Sequence, residues 1–154
     1  MIVVSDTSPL TSLITIGRAD VLPSLFGTVC VPEAVRDELV RGHGQLPSFL
    51  RVDTVRDRRH VERLLGALDL GEAEAIVLAQ ELHADVLLMD ERAGREIAVR
   101  EGVRVVGLMG VLLAAKRQGL IPSVRVVADE LRRRANFRVA DSVLHAVLRE
   151  AGEG

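Results

Sequence analysis

Two aspartates follow short apolar runs that predict buried strands. Asp6 comes shortly after Ile2–Val4, and Asp90 comes directly after Val86–Met89. Runs of apolar and β-branched residues of this length fit parallel strands that are covered on both faces. Open α/β sheets place their ligands at the carboxyl ends of such strands. The sequence therefore predicts that two carboxylates lie at the same end of one sheet.

Two glutamates are candidates to lie beside these two aspartates. Glu38 falls in the apolar stripe of a predicted helix with Ala34 and Val35, so it faces inward. An inward carboxylate needs a partner, which is either a metal ion or an internal salt bridge. Glu72 lies in the first turn of another helix, where it also fits a capping box with Asp69. Both glutamates thus have a structural and a functional interpretation.

Four carboxylates in one cleft would repel one another and raise each other's pKa values. A divalent cation removes that cost, and carboxylate oxygens select Mg²⁺ or Mn²⁺ over zinc. Other chemistry has little support, because the four histidines lack ligand spacing and no serine has a Gly-x-Ser-x-Gly setting. The single cysteine, Cys30, reads as a core thiol and excludes an intramolecular disulfide or a cysteine-based zinc site.

Composition narrows the class of protein. The chain has 154 residues, 48% of them hydrophobic, which predicts one globular domain. Aromatic residues make up only 2%, so stacking platforms for single-stranded nucleic acid are not expected. The net charge is −2, and any nucleic-acid contact must be local. No signal peptide or membrane span is evident, so the expected location is the cytoplasm.

Strands alternate with helices along the chain, which predicts an α/β protein with a parallel sheet. The predicted strands are Ile2–Val4, Thr28–Val31, Arg51–Val55, Val86–Met89 and Val103–Val106. The predicted helices are Leu10–Gly17 with Ser8 as N-cap before Pro9, Ala19–Phe26, Pro32–Arg41, Asp57–Leu68, Gly71–His83, Arg92–Glu101, Leu108–Gln118, Ser123–Arg134 and Ser142–Glu150.

Three segments carry a resemblance to a known family. They are VVSDTSPL at Val3–Leu10, VPEAVRDEL at Val31–Leu39 and LGEAEAIVLAQELHADVLLMDERAG at Leu70–Gly94. In order and spacing they resemble the PIN-domain family, which includes VapC-type toxins, and within it a PIN-like subfamily catalogued as a domain of unknown function. The resemblance implies a three-layer fold with a central parallel sheet flanked by helices. It gives a single domain, with a core at about 2–120 and a helical C-terminal extension at 121–154.

The resemblance also implies the site. The family's four acidic positions fall on Asp6, Glu38, Glu72 and Asp90, as catalytic and metal-binding residues. Glu74 competes for the third position, and an ungapped comparison of the strand favours Glu91 for the fourth.

Residues beside the acids are candidates for substrate binding. Thr7 and Ser8 match a small polar position of the family next to its first aspartate. From the chain itself, Arg92 and Arg95 follow Asp90 closely enough to hold a backbone phosphate.

The implied activity is a Mg²⁺- or Mn²⁺-dependent endoribonuclease, which includes the toxin of a type II toxin–antitoxin pair. RNA, a homodimer partner and a small antitoxin protein are the implied partners. The alternative is a catalytically weak or inactive module that binds RNA or protein, because Glu72 stands where the family usually has Asp. Phosphotransfer is disfavoured, since Ser8 replaces the second aspartate of haloacid-type phosphatases and Lys116 is predicted to be mid-helix.

Overall fold

A computed structural model describes all residues from 1 to 154. Five parallel strands form one sheet in the order β3-β2-β1-β4-β5. The strands are β1 (Val3–Ser5), β2 (Val29–Val31), β3 (Leu50–Val52), β4 (Val86–Leu88) and β5 (Val105–Val106). The helices are α1 (Thr7–Thr15), α2 (Val21–Phe26), α3 (Glu33–His43), α4 (Arg58–Leu64), α5 (Leu70–Glu81), α6 (Arg92–Arg100), α7 (Leu108–Arg117), α8 (Val124–Arg134) and α9 (Asp141–Glu150).

Helices cover both faces of the sheet. Because successive side chains of a strand point to opposite faces, Val3 joins one apolar cluster and Val4 joins the other. The larger cluster contains residues of α1, α2, α3, α7, α8 and α9, and the smaller one is built mainly from α5 with parts of α4 and α6. The predicted α/β fold with a parallel sheet between helical layers is confirmed.

The order of the strands reverses at β1. The chain moves from β1 outward to β2 and β3, then crosses back so that β4 and β5 lie on the other side. The carboxyl ends of β1 and β4 therefore flank a topological switch point, where α/β sheets have their ligand crevice. Asp6 and Asp90 come from this pair of neighbouring strands.

Several element boundaries differ from the sequence predictions; α3, for example, continues to His43, and α4 ends at Leu64. Two of the differences have a clear local cause. Helix α1 begins at Thr7 with Asp6 as its N-cap, so the prediction of Ser8 as N-cap was wrong. Proline is tolerated anywhere in the first turn, which lets the helix start as soon as β1 ends. Strand β3 ends at Val52 because its partner β2 ends at Val31, whose carbonyl accepts the last ladder bond from the Asp53 N–H.

The C-terminal helices pack on the larger apolar cluster. Val127 and Leu131 of α8 and Leu144 and Leu148 of α9 are buried there. Residues 121–154 therefore supply part of the core that supports α1 and α7. No helix of the structure is long and apolar enough to cross a membrane.

Candidate functional site

Asp6 is the buried acid at the switch point. Its backbone N–H donates to the carbonyl of Leu88 at 2.9 Å, which extends the pairing of β1 with β4 up to the acid. The residue is 4% exposed, and this burial raises the pKa of its carboxyl to about 7. The Thr7 N–H opposes the rise, whereas nearby carboxylates, including Glu38, add to it. At neutral pH without a cation, Asp6 is therefore divided between its protonated and charged forms.

The two carboxylate oxygens of Glu72 have different surroundings. Oε1 accepts from the Asp69 N–H at 3.1 Å, and the Glu72 N–H donates to Asp69 Oδ1 at 2.8 Å, which completes the predicted capping box. Oε2 faces α6, where a Cβ atom at Gly94 would come within 3.4 Å of it. Burial is the main cause that raises the pKa of Glu72 to about 8, and the carboxyl of Glu91 is another. The structural interpretation of Glu72 as a capping residue is thus confirmed, and Oε2 takes no part in the capping box.

Glu38 approaches from α3. It is half-buried, and its Oε1 lies so close to Gly71 that a Cβ atom there would collide with it. The absence of a side chain at Gly71 therefore lets the Glu38 carboxylate reach the first turn of α5. Its charge contributes to the raised pKa of Asp6.

Asp90 and Glu91, adjacent in sequence, have different surroundings. Asp90 Oδ1 accepts from the Leu108 N–H at 2.7 Å, at the start of α7. Burial raises the pKa of Asp90, and the Leu108 N–H and the Arg95 charge lower it in part. Glu91 is the N-cap residue of α6, and its charge raises the pKa values of both Asp6 and Glu72. The geometry thus brings Glu91 to the other acids and directs Asp90 to α7.

Glu74, the alternative for the third position, is buried on the same helix as Glu72. Its Oε1 accepts from the Ala34 N–H at 3.0 Å, and its Oε2 pairs with Arg58 Nη1 at 2.7 Å. The Glu74 carboxylate therefore caps the start of α3 and connects it to α4. By holding α3 against α5, it fixes the helix that carries Glu38.

The candidate substrate-binding residues lie around the acids. Thr7 Oγ1 is buried without a hydrogen-bond partner, next to Asp6, while Ser8 is exposed. Arg95 lies beside Asp90, and a Cβ atom at Gly107 would come within 3.1 Å of its Nη1. Arg92 is 94% exposed and pairs with Glu96 at 3.3 Å.

The sequence pattern indicates Asp69 only as a helix cap. In the structure its charge also raises the pKa values of Asp6 and Glu72. The signal was present, because an N-cap carboxylate lies three residues before Glu72 and must share the surroundings of the first turn of α5. The acidic cluster therefore consists of five residues: Asp6, Glu38, Asp69, Glu72 and Glu91.

The chemistry of the acidic cluster fits a hard divalent cation. All its members offer carboxylate oxygens, the ligands of Mg²⁺ and Mn²⁺, and the buried Thr7 hydroxyl adds an unpartnered oxygen. As the side chains stand, no three Asp, Glu, His or Cys residues are grouped closely enough to hold one ion. Binding would require rotamer changes that draw the carboxylates together. The charge of a dication would then offset the burial and the repulsion that now raise the pKa values of these carboxyls.

Of three comparisons with known proteins, one found a match. A search of curated proteins and a search of solved structures found no match. The family profile described as "DUF3368: PIN domain" matches residues 2–153, which includes the C-terminal helices. PIN domains are typically nucleases and generally bind Mg²⁺ or Mn²⁺. The chain belongs to the DUF3368 family of PIN domains.

Proposed function

We propose that this PIN domain is a Mg²⁺- or Mn²⁺-dependent endoribonuclease. The observation that carries the proposal is the acidic cluster at the switch point, where burial and like charge raise the pKa values of Asp6 and Glu72 to about 7 and about 8. Two of the five acids, Asp6 and Glu72, are buried, and carboxyls whose pKa values are perturbed in this way are typical of catalytic sites.

Asp6, Glu38 and Glu72 would hold the cation, with Glu91 in the fourth position. The Asp90 side chain accepts from the Leu108 N–H, and this bond fixes the turn that carries Glu91. We assign Asp90 as a positioning residue on this ground. Asp69 orients Glu72 through the capping box and adds negative charge.

The other polar residues would bind the substrate. The Thr7 hydroxyl is available to donate to a phosphate oxygen, and the Arg95 guanidinium is able to hold a neighbouring phosphate. When bound, the cation would activate a water molecule for in-line attack and stabilise charge on the leaving oxygen. Ser8 and Arg92 are exposed at the starts of α1 and α6, and they would contact the bound RNA strand.

In the cell, such an endoribonuclease would fit the role of the toxin in a type II toxin–antitoxin pair. RNA would be its substrate, a small antitoxin its inhibitor, and a homodimer its assembly. These partners rest on what is typical of PIN-domain toxins, and a small reading frame beside the gene would support them.

The test is cleavage of a fluorescently labelled single-stranded RNA by purified protein with Mn²⁺ or with EDTA. Asp6→Asn keeps the shape of the side chain and removes one ligand charge. We expect the rate to fall by about a hundredfold or more, as for loss of a metal ligand or its direct support. Asp129→Asn, an exposed position on α8, is the matched control and should leave the rate unchanged. Equal cleavage by the parent and Asp6→Asn, or cleavage that persists in EDTA, would refute the proposal.

One observation favours a second candidate, a PIN module that binds RNA or protein with little or no turnover. No three acidic side chains are grouped as ligands of one ion, and Glu72 is held at Oε1 by its helix cap. In that case the protein would bind RNA without cleaving it. Mn²⁺ would then raise the melting temperatures of the parent and of Asp6→Asn equally, or not at all.

A further inference from the structure

A cleft runs along the free edge of the sheet, beside the acidic cluster. Strand β5 pairs only with β4, so its other edge has no strand partner. The cleft has a volume of about 1180 Å³ and lies between β5, α6 and residues 137–147. Both Val105 and Val106 line it, although neighbouring residues of a strand point to opposite faces. The cleft therefore wraps around the strand edge.

The backbone of β5 offers hydrogen bonds to this cleft. The carbonyls of Arg104 and Val106 accept from β4, at 2.8 Å from Leu87 N and 3.1 Å from Met89 N. In a parallel ladder the intervening residue directs its polar groups to the other side. The N–H and carbonyl of Val105 consequently point into the cleft, as the edge of a sheet does before a further strand is added.

The walls of the cleft are apolar. Nine of its seventeen lining residues are hydrophobic. Val99 on α6 is 63% exposed and Val143 on α9 is 46% exposed, which is unusual for valines on amphipathic helices. These side chains would gain from contact with apolar groups of a ligand.

The rim of the cleft is basic. Four arginines line it, against two acids, Asp90 and Glu96. Asp90 is bonded to α7 and Glu96 is paired with Arg92. Arg100 and Arg138 form no salt bridge and lie on opposite walls, in α6 and just before α9. The ligand that complements this rim carries negative charge.

We propose that the cleft is a docking site for an extended acidic peptide segment of a partner protein. The segment would pair its backbone with Val105 as an added strand, place alternate apolar side chains against Val99 and Val143, and direct carboxylates to Arg100 and Arg138. RNA matches the arginines but not the walls, where Phe137 is the only aromatic residue. The cleft shares Asp90, Arg92 and Arg95 with the surroundings of the acidic cluster. The peptide would instead use Val105, Arg100 and Arg138, which have no role in the proposed nuclease, so its binding does not depend on nuclease activity.

The test uses three fluorescein-labelled probes with the purified chain: an octapeptide of alternating Glu and Val, one of alternating Lys and Val, and a decamer of oligouridylate. Of the two peptides, we expect only the Glu-Val peptide to raise the anisotropy. Oligouridylate bound at the acidic cluster would raise it as well, but that signal should not respond to changes at Arg100 and Arg138. Combined Arg100→Glu and Arg138→Glu should weaken this binding by about tenfold or more, because like charges face each other across the interface. Arg133→Glu, an exposed position on α8 outside the cleft, is the matched control and should bind as the parent does.

Amide hydrogen exchange provides a second measurement. The bound Glu-Val peptide should slow exchange at Val105 by about tenfold or more, because that N–H becomes bonded to the added strand. Circular dichroism of each variant checks that it is folded. The proposal is overturned if the Glu-Val peptide does not bind at millimolar concentration, if the Lys-Val peptide binds equally well, if Arg133→Glu weakens binding as much as the cleft variant, or if oligouridylate alone occupies the cleft.

Discussion

At the scale of single residues, the acidic cluster shows a conflict between folding and function. Asp6 is charged in the unfolded chain at any pH well above its ordinary pKa of 3.8, whereas in the folded protein its pKa is about 7. Between these values the folded state binds more protons than the unfolded state. Stability therefore falls as pH rises through this window. The acid that defines the site is also a source of instability.

Replacement of this acid by its neutral isostere should accordingly stabilise the protein. In EDTA at pH 8, we expect Asp6→Asn to raise the free energy of unfolding by up to about 4 kcal/mol, the equivalent of the full pKa shift. At pH 4 the difference should be small, because Asp6 is largely protonated when folded and near its ordinary pKa when unfolded. Urea denaturation at both values measures the change, and Asp129→Asn should show no such pH dependence. A variant that is less stable than the parent at pH 8 would contradict the shift.

The sequence predicted some of these residues better than others. Asp6 follows from local information, because an apolar strand and a proline-containing helix start enclose it. The bond of Asp90 to the Leu108 N–H does not, because Leu108 lies 18 positions later and is brought there by β5. This bond is the ground on which we propose Glu91, and not Asp90, for the fourth position. The sequence indicates Asp69 as an N-cap residue. It does not indicate that the Asp69 charge lies near Asp6, because that depends on how α5 packs against β1.

At the scale of elements, the site depends on how closely α3 and α5 approach each other. Gly71 is in the first turn of α5, and its α-hydrogen faces the Glu38 carboxylate. The predicted amphipathic pattern of α3 gave the inward direction of Glu38. The distance between the helices could not be predicted, since the buried Glu74 that ties them also fits the acidic pattern of a metal ligand.

Gly71→Ala should weaken the binding of Mn²⁺ without lowering the stability of the protein. The added methyl group must displace the flexible end of Glu38, while alanine gains up to about 1 kcal/mol of helix propensity over glycine. We expect an unchanged or slightly higher melting temperature together with Mn²⁺ affinity reduced by about tenfold, within the range seen when the support of a ligand is lost. Isothermal titration calorimetry measures the affinity.

Gly42→Ala is the matched control for this substitution. Gly42 lies within α3, and a Cβ atom there meets nothing within 4 Å. It should change helix propensity alone and leave the Mn²⁺ affinity as it is. If Gly71→Ala binds Mn²⁺ as the parent does, Glu38 is not a ligand.

At the scale of the whole molecule, Glu153, which follows α9, ties the C-terminal segment to α7 and α8. Glu153 accepts hydrogen bonds from Lys116 Nζ at 2.9 Å, Ser123 Oγ at 2.7 Å and the Val124 N–H at 2.7 Å. Burial acts to raise its pKa, but these donors outweigh it and lower the pKa to about 2. A single carboxylate thus fastens the end of the chain to α7 and to the first turn of α8.

Glu153→Gln should destabilise the protein by about 1.5–3 kcal/mol at pH 7, the range for a hydrogen bond to a charged group. Because the folded pKa is depressed, the contribution is present above the unfolded value of 4.5 and is lost as pH falls to about 2. Thermal unfolding at pH 7 and pH 2.5 measures it. Glu150→Gln, whose exposed pair with Arg117 spans 3.4 Å, should change stability little. An equal loss in both variants would rule out this role for Glu153.

The alternation of strands and helices predicted the fold class, and it predicted that Asp6 and Asp90 follow neighbouring strands. The packing of the C-terminal segment was not predictable to the same degree. The spacing of Val124, Val127 and Leu131 marks a buried face of α8, but a buried face does not specify its partner. The cleft formed by α9 and β5 escaped sequence reasoning for the same reason.

The acids of the cluster come from four separated stretches of the chain, and the turn that presents Glu91 is fixed only once Leu108 is in place. A nascent chain on the ribosome therefore carries all five acids before Leu108 is available to fix that turn. The acidic cluster reaches its final geometry only after residue 108 has been synthesised and has left the ribosome. Translation thus sets the earliest time at which the assembled cluster exists.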